Sequence, residues 1–413
     1  GFTPAWQARE LVLNGLTATV FDMDVARALN RAAGQLDSQV RVIIKVDTGR
    51  GRLGRLPDDV VDVLIDEGMF RFTLPVELGG EDASSLETIE VLEAISAIDA
   101  SVGWNVMLGS EINAMAAGGM PKELAQEVYI ENPRVIMCGG GGPGSTPSYA
   151  QEQPDGSFKV WGETSFISGC HNATWCFMGA PIIDDGKPRK DADGNLMFRM
   201  WFLHRSQWEI LDTWDCAGLR GSGSHNVKAD GAVVEEKWLP VDLMITPALY
   251  DNPVFRIPVP LRLSYNKVAI ALGIAKGALD GFADLANNKV PMLSASKLMD
   301  RPIAQYRMGE LSATYRAARA YVFEAMGAVE RELEAGAEMP STETTINARL
   351  ACTHGAQSCM AVVDAVHAAA GTSASYMANP LERKLRDSHG AASHRWVSAP
   401  LYETLGGILF GKE

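Results

Sequence analysis

The stretch Trp161-Gly162-Glu163-Thr164-Ser165-Phe166-Ile167-Ser168-Gly169 lies in a run of β-forming residues in the middle of the chain. Between residue 135 and about residue 241, glycine-rich turns separate short segments that are rich in aromatic and β-branched residues, which predicts strands. On both sides, from residue 57 to about 133 and after Pro253, apolar residues recur at helical spacing. The order α, β, α predicts an α+β fold.

Composition and charge exclude several classes of function. The 413 residues carry a formal net charge of −14, which disfavours binding to nucleic acid or to an anionic membrane. No apolar run approaches the roughly 20 residues that a membrane span requires. Gly1-Phe2-Thr3-Pro4 has neither the charged nor the apolar segment of a secretory signal, so a cytoplasmic location is expected.

Motifs for metal binding and for the common nucleotide and hydrolase sites are missing from the sequence. The six cysteines form no Cys-x-x-Cys pair and the histidines form no His-Glu-x-x-His motif, so we predict no metal site. The segment Gly139–Ser145 holds four consecutive glycines, but it lacks the spacing of a dinucleotide or phosphate loop. By itself it predicts a turn whose backbone approaches another group closely.

Four separate segments together resemble the motifs of one known superfamily. They are Leu74-Pro75-Val76-Glu77-Leu78-Gly79-Gly80-Glu81, the stretch Trp161–Gly169, Gly218-Leu219-Arg220-Gly221-Ser222-Gly223-Ser224, and Pro380-Leu381-Glu382-Arg383-Lys384-Leu385-Arg386-Asp387. In this order they resemble the acyl-CoA dehydrogenase superfamily, from about residue 55 to the end of the chain. The resemblance implies an N-terminal α-helical domain at 1–134, a β-barrel domain at 135–250 and a C-terminal four-helix bundle at 251–413. It also implies a homotetramer assembled through the bundles.

The dehydrogenases of this superfamily need a carboxylate base, and the sequence does not supply one at the expected places. Those positions hold His394-Arg395 and Leu263. The chain instead resembles the branch of flavin-dependent monooxygenases. This implies an oxygenase component that uses reduced FMN or FAD and O2, through a C4a-hydroperoxyflavin, to hydroxylate a small aromatic substrate. A separate NAD(P)H:flavin reductase would supply the reduced flavin.

Two residues are the predicted catalytic groups. Ser168 would accept a hydrogen bond from the flavin N5 proton in a pocket walled by Phe166 and Trp175, from which water is excluded. His394 would act as the base on a phenolic substrate, because a phenol with a pKa of about 10 is a poor nucleophile until it loses its proton.

The same resemblance implies binding residues around these two. For the flavin they are Trp104, Gly142, Gly144, Ser145, Phe166, Ser168, Gly169, Arg301 and Gln305, the last by analogy with a residue that reaches flavin in a neighbouring subunit. For the substrate they are Glu111, His171 and His389.

Two other functions stay open at this point. One is an FAD-dependent acyl-CoA dehydrogenase or oxidase of the same fold with an unrecognised base, for which Glu111 is the candidate. The other is a non-catalytic homologue that serves as a binding or structural protein. The N-terminal residues 12–54 are unusual, because they resemble a fragment of alanine racemase. The catalytic Lys and Tyr regions of the racemase are missing, so we predict no pyridoxal chemistry.

Overall fold

A computed structural model describes residues 5–16, 18–20, 23–40, 42–44, 57–140, 142–244 and 249–412. The chain divides into two compact units, Gly1–Met69 and Phe70–Glu413. The candidate site residues all lie in the second unit.

The first unit contains a short β-α-β arrangement. Its elements are α1 (Ala8–Leu13), β1 (Ala18–Val20), α2 (Met23–Gln35), β2 (Val42–Ile44) and α3 (Pro57–Asp66). Strands β1 and β2 pair in parallel, with Ala18 opposite Val42. Helix α2 places Val25 and Leu29 one turn apart in the small core of the unit. The N-terminal residues are therefore not purely helical, because their β-branched segments pair as strands.

The second unit begins with three helices, α4 (Ser85–Ile98), α5 (Ala100–Gly119) and α6 (Lys122–Tyr129). A single residue, Asp99, separates α4 from α5, and its carboxylate accepts hydrogen bonds from the backbone N–H groups of the first turn of α5 at 2.9 and 3.2 Å. This cap fixes the start of α5. Trp104 and Glu111 therefore lie two turns apart on one face of that helix.

The strands of the second unit form two larger sheets and a small hairpin. They are β3 (Met137–Gly140), β4 (Gly142–Pro143), β5 (Tyr149–Glu152), β6 (Phe158–Ile167), β7 (Trp175–Pro181), β8 (Ile183–Asp184), β9 (Lys187–Pro188), β10 (Phe198–His204), β11 (Trp208–Leu211) and β12 (His225–Val234). One sheet has the order β10-β7-β3 and the other β11-β12-β6-β4, with β5 also paired to β6. Strands β8 and β9 form the hairpin.

The expected β-barrel is not closed among the described strands, so this part of the prediction needs correction. No described ladder joins the two larger sheets edge to edge. Large aromatic side chains fill the space between them instead, and the ring of Phe202 stacks on Trp238 with centroids 4.9 Å apart. Residues of the two sheets thus share one hydrophobic core.

The remainder of the chain is helical. The helices are α7 (Val259–Asn288), α8 (Pro302–Glu334), α9 (Thr342–Ala370), α10 (Pro380–Ala392) and α11 (Leu401–Leu409). Helix α7 packs against α4, α9 and α10, so helices from both ends of the second unit form one helical body. At the crossing with α4, a Cβ at Gly273 would lie 2.4 Å from the carbonyl oxygen of Glu93, so only glycine allows this approach.

None of the helices in the described ranges is both long and apolar enough to cross a membrane. All six cysteines are free thiols and five of them are buried, which is common for free cysteine.

Candidate active site

Ser168 lies directly after β6 and is the centre of a chain of hydrogen bonds. The indole Nε1 of Trp104 donates to Ser168 Oγ at 3.0 Å. Ser168 Oγ is 2.7 Å from Ser224 Oγ, which in turn is 2.7 Å from Ser222 Oγ. A hydroxyl has one proton and two lone pairs. If Ser168 donates to Ser224 and accepts from Trp104, one lone pair stays available for a ligand N–H.

The ring of His394 is next to this chain, edge-on to Trp104 with centroids 5.6 Å apart. We call Trp104, Ser168, Ser222, Ser224 and His394 the Ser168 cluster. The Nδ1 of His394 accepts a long hydrogen bond, 3.4 Å, from the backbone N–H of residue 396. Burial lowers the pKa of His394 to about 3, and the positive charges of Lys267 and Arg395 add to the shift. The imidazole is therefore neutral at physiological pH.

Two sequence motifs that are far apart in the chain hold the serines of this cluster in place. Asp387 Oδ1 accepts a hydrogen bond of 2.7 Å from the backbone N–H of Leu219, and the guanidinium of Arg386 donates to the carbonyl of Ala217. A Cβ at Gly218 would lie 2.0 Å from the carbonyl oxygen of Arg386. The Arg-Asp pair of α10 therefore fixes the turn that presents Ser222 and Ser224.

Phe166 has a backbone conformation that is unusual for a bulky residue. Its φ is +61° and 67% of its surface is exposed, although the neighbouring Ser168 is buried. A left-handed conformation at a residue other than glycine costs about 1–2 kcal/mol and is enriched at functional sites. Its ring is edge-on to Trp214 at 6.1 Å. An exposed aromatic ring at this position is suited to pack against a flat ligand.

Glu111 is not free, because two residues of α7 hold its carboxylate. Lys267 Nζ donates to Oε1, and Asn266 Nδ2 donates to Oε2 at 2.8 Å. The side chains of Glu111 and Lys267 are only 3% and 2% exposed. As a base, or as a site for a cationic substrate, Glu111 would have to exchange Lys267 for the new partner. This arrangement gives no support to the dehydrogenase alternative.

The glycine-rich segment connects the two sheets, and several of its polar groups are already used. Gly142 pairs with Ser165 across β4 and β6. The N–H of Gly144 donates to the carbonyl of Glu163 at 3.0 Å, and the Ser145 hydroxyl donates to the carboxylate of Glu163. These contacts orient the segment along β6. Gly169, at φ +73°, donates its N–H to the carbonyl of Ser222 at 3.0 Å.

Of the other predicted binding residues, His171 borders the Ser168 cluster, since its Nδ1 would lie 3.3 Å from a Cβ at Gly223, whereas the others have their described contacts elsewhere. His171 is exposed, edge-on to His225 at 5.1 Å, and burial together with His225 lowers the pKa of His171. His389 is exposed and its Nε2 is 2.8 Å from Asp364. At the start of α8, Gln305 Nε2 donates to a backbone carbonyl at 3.0 Å, and Arg301 is the N-cap residue. Trp175 packs on Trp238 in the core between the sheets, with centroids 4.3 Å apart.

Groups that sequence reasoning missed lie beside the cluster. Asn105 donates to the carbonyl of Gly221 at 3.1 Å, and its buried Oδ1 has no hydrogen-bond partner. Lys267 and Asn266 come from a helix more than 150 residues further along the chain. Their only sequence signal is that a charged and an amide residue interrupt an apolar helical run.

The residues present fit a flavin ring system. Phe166 offers an exposed ring, Ser168 has a lone pair available when it donates to Ser224, and Asn105 has an unused acceptor. All three lie within a few residues of β6 or on α5. A flat heterocycle with N–H groups would satisfy each of them, which a purely apolar ligand would not do.

The chain is similar to known proteins in family models, in sequence and in structure. Family models described as acyl-CoA dehydrogenase, N-terminal domain, and acyl-CoA dehydrogenase, C-terminal domain, match residues 40–124 and 266–399. The model of the alanine racemase N-terminal domain matches residues 1–68, which include the racemase-like residues 12–54.

Among curated proteins, the indole-3-acetate monooxygenase of Acinetobacter baumannii is 30% identical over 354 residues, which cover 86% of this chain and 87% of that protein. The flavin-dependent monooxygenase oxygenase subunit HsaA of Rhodococcus jostii is 27% identical and the match covers 83% of this chain and 88% of HsaA. The crystal structure of 3-HSA hydroxylase from a Rhodococcus species has a TM-score of 0.76 at 25% identity, over 87% of this chain and 91% of that one.

Proposed function

Because the chain belongs to the flavin-dependent monooxygenases of the acyl-CoA dehydrogenase superfamily, we propose that the Ser168 cluster is its active site. The protein is the oxygenase component of a monooxygenase that uses reduced FMN or FAD and O2 to hydroxylate an aromatic substrate. A separate reductase delivers the reduced flavin. The flavin, when bound, supplies the activated oxygen. The roles of individual residues below are our proposal.

Ser168 is the residue that accepts a hydrogen bond from the N5 proton of the flavin. Its hydroxyl is buried, is oriented by Trp104, and has one lone pair left for the N5 proton. Because Ser224 and Trp104 fix both sides of this hydroxyl, it is pre-organised and needs no rearrangement when the ligand binds. Loss of that hydrogen bond should let the flavin oxidise without transferring oxygen.

His394 is the substrate contact. It is neutral, and its ring is 5.6 Å from Trp104, so the substrate would lie close to Ser168 as well. With a pKa of about 3, His394 is too weak a base to remove a phenol proton outright. We infer that it accepts a hydrogen bond from the substrate O–H or N–H and orients the ring carbon for attack.

The flavin would be held by residues of α5, of the end of β6 and of the segment that follows β3. They are Trp104, Phe166, Ser168 and Gly169 near its ring, and Gly142, Gly144 and Ser145 in the segment that follows β3. Arg301 and Gln305, at the start of α8, would serve the flavin of a second copy of the chain in a homotetramer. A cytoplasmic location and an NAD(P)H-dependent reductase complete the proposal.

The observation that carries this proposal is the hydrogen bond from Trp104 to Ser168 beside the neutral ring of His394. To test it, the protein is supplied with enzymatically reduced FMN or FAD, ¹⁸O2 and a panel of aromatic compounds. Incorporation of ¹⁸O into product is expected for the wild type. Ser168→Ala should consume O2 at a similar rate but release mainly H2O2, whereas Ser294→Ala, in an exposed loop, should behave like the wild type. Product formation that is unchanged in Ser168→Ala would refute the role of Ser168.

A further inference from the structure

Arg262, in the first turn of α7, is a buried cation without a partner. The residue is only 4% exposed. Its Nε and Nη1 are buried and have no hydrogen-bond acceptor, and no described carboxylate forms an ion pair with it. Its guanidinium carbon lies 5.9 Å from the centre of the Phe255 ring. This is unusual, because buried guanidinium groups in proteins are almost always paired.

The charges around Arg262 do not balance. Glu111 is near enough to act electrostatically on Arg262 and oppose the lowering of its pKa by burial. However, both oxygens of that carboxylate are already bonded to Lys267 and Asn266. His394 is neutral. With Lys267 and Glu111 both ionised, these two groups cancel and Arg262 leaves one uncompensated positive charge. A guanidinium does not lose its proton to relieve it.

The position of Arg262 connects this charge to the active site. Arg262 is one helical turn before Asn266, which contacts Glu111. Glu111 lies on the same face of α5 as Trp104, two turns or roughly 10 Å further along. Lys267, which holds Glu111, is in turn near enough to His394 for its charge to lower the pKa of that imidazole. Arg262, Glu111 and Lys267 therefore form one group of buried charges beside the Ser168 cluster.

We propose that Arg262 binds the carboxylate of the substrate, so that the enzyme acts on an aromatic acid. This inference rests on the proposed function, because it assumes that the aromatic ring lies at the Ser168 cluster. A carboxylate matches the planar, two-pronged donor geometry of a guanidinium and supplies the single negative charge that the buried groups lack. A neutral aromatic would leave the guanidinium without a partner.

The proposal is tested by binding to the flavin-free protein, which does not depend on turnover. The probes are indole-3-acetate, phenylacetate and benzoate, each compared with its neutral amide. We expect the wild type to bind at least one acid on the order of 30- to 100-fold more tightly than the matching amide. Arg262→Gln should abolish this preference, and Arg262→Lys should keep part of it. Thr314→Ala, at an exposed position of α8, is the control and should keep all of it.

Thermal stability separates a binding role from a structural one. If Arg262 only supports the fold, Arg262→Met should lower Tm. If the role of Arg262 is to bind an anionic ligand, the ligand-free Arg262→Met protein should be at least as stable as the wild type. The substitution removes an uncompensated buried charge. The acids should raise Tm of the wild type but not of the variant.

The outcomes distinguish this proposal from the proposed function. Equal binding of acids and amides by the wild type, no measurable binding of any acid, or an acid preference that survives Arg262→Gln would each overturn the role of Arg262. Transfer of oxygen from O2 to a neutral aromatic would leave the monooxygenase function intact in that case. Failure to bind reduced flavin, with acid preference retained, would instead contradict the proposed function.

Discussion

The indole of Trp104 donates a hydrogen bond to Ser168 Oγ across 64 residues of sequence, at 3.0 Å, and both side chains are buried. This bond joins α5 to the end of β6. It also occupies one lone pair of the serine, so a ligand N–H can use only the other. The helical and β parts of the second unit are thus joined where the chemistry is proposed to occur.

Removal of that donor should uncouple the reaction. Trp104→Phe keeps an aromatic ring but leaves Ser168 free to rotate, so we expect more H2O2 and less product for each reduced flavin consumed. A loss of about 1 kcal/mol in stability should accompany it. Trp208→Phe is the matched control, because Trp208 Nε1 is buried and has no partner to lose. The ratio of product to H2O2 measures the effect, and an equal ratio in both variants would show that the bond does not matter.

The buried pair of Glu111 and Lys267 should be strongly coupled. Glu111→Gln leaves the buried Lys267 without its counter-charge, so it should lower the free energy of unfolding by about 3–5 kcal/mol. The double variant Glu111→Gln, Lys267→Met should lose less than the single variant. Denaturant titration of the three proteins gives the coupling energy.

An exposed pair provides the comparison for this measurement. Lys276 and Asp280 form an i,i+4 ion pair on α7 with 43% of each side chain exposed. Asp280→Asn should change the stability by no more than about 0.5 kcal/mol. Similar losses in Glu111→Gln and Asp280→Asn would mean that burial does not govern the Glu111 pair.

His394 should make the protein less stable in acid. Its pKa is about 3 in the folded protein, against about 6.5 in the unfolded chain. Above pH 6.5 the residue is neutral in both states. As the pH falls from 6.5 towards 3, the unfolded chain takes up the proton first, so up to about 2 kcal/mol should be lost between pH 7 and pH 5. His394→Asn should lose correspondingly less over this range.

Thermal or denaturant unfolding at pH 7 and pH 5 checks this expectation. His354→Asn, at an exposed position on α9, is the control and should follow the wild type. If His394→Asn and the wild type lose the same stability, the histidine does not contribute to the acid sensitivity.

Phe166 should show a conflict between stability and function. Phe166→Gly removes the strain of φ +61°, so the ligand-free protein should be as stable as the wild type or up to about 1 kcal/mol more stable. Reduced flavin should bind more weakly, since the ring that packs on it is lost. Phe198→Gly, at an exposed position in β10, should destabilise the protein and leave flavin binding unchanged. Loss of stability in Phe166→Gly without loss of flavin affinity would contradict this role.

Asp387 should control the order of the turn that carries Ser222 and Ser224. Asp387→Ala removes the acceptor of the Leu219 N–H and should speed hydrogen exchange over residues 217–224. Asp387→Asn, which keeps an acceptor oxygen, should show a smaller effect. The same exchange rates in both variants would indicate that the turn is held by other contacts.

The sequence predicts the family and the centre of the site because both depend on local motifs. Ser168 follows a strand within a recognisable segment, and His394 follows an Arg-Asp pair. The comparisons confirm the resemblance to flavin-dependent monooxygenases. The resemblance of the first residues to alanine racemase is also confirmed.

Contacts between distant helices could not be predicted. Nothing in the sequence around Glu111 indicates that Lys267 and Asn266 bind its carboxylate, because these hydrogen bonds depend on how α5 crosses α7. His389 is only five residues from His394, but α10 ends at Ala392, so His394 lies beyond the helix that carries His389. His389 accordingly contacts Asp364, while His394 contacts Trp104. Whether the sheets close into a barrel likewise depends on which strand edges pair. The alternation of polar and apolar residues within a strand does not determine that pairing.

The most direct test of the central claim is rapid mixing of the protein, loaded anaerobically with reduced FMN or FAD, with oxygenated buffer in the absence of substrate. We predict a long-lived absorbance band, distinct from that of oxidised flavin, in the wild type. In Ser168→Ala the band should decay much faster. Immediate appearance of oxidised flavin in the wild type, at the rate seen for free flavin, would contradict the assignment of the Ser168 cluster as a monooxygenase active site.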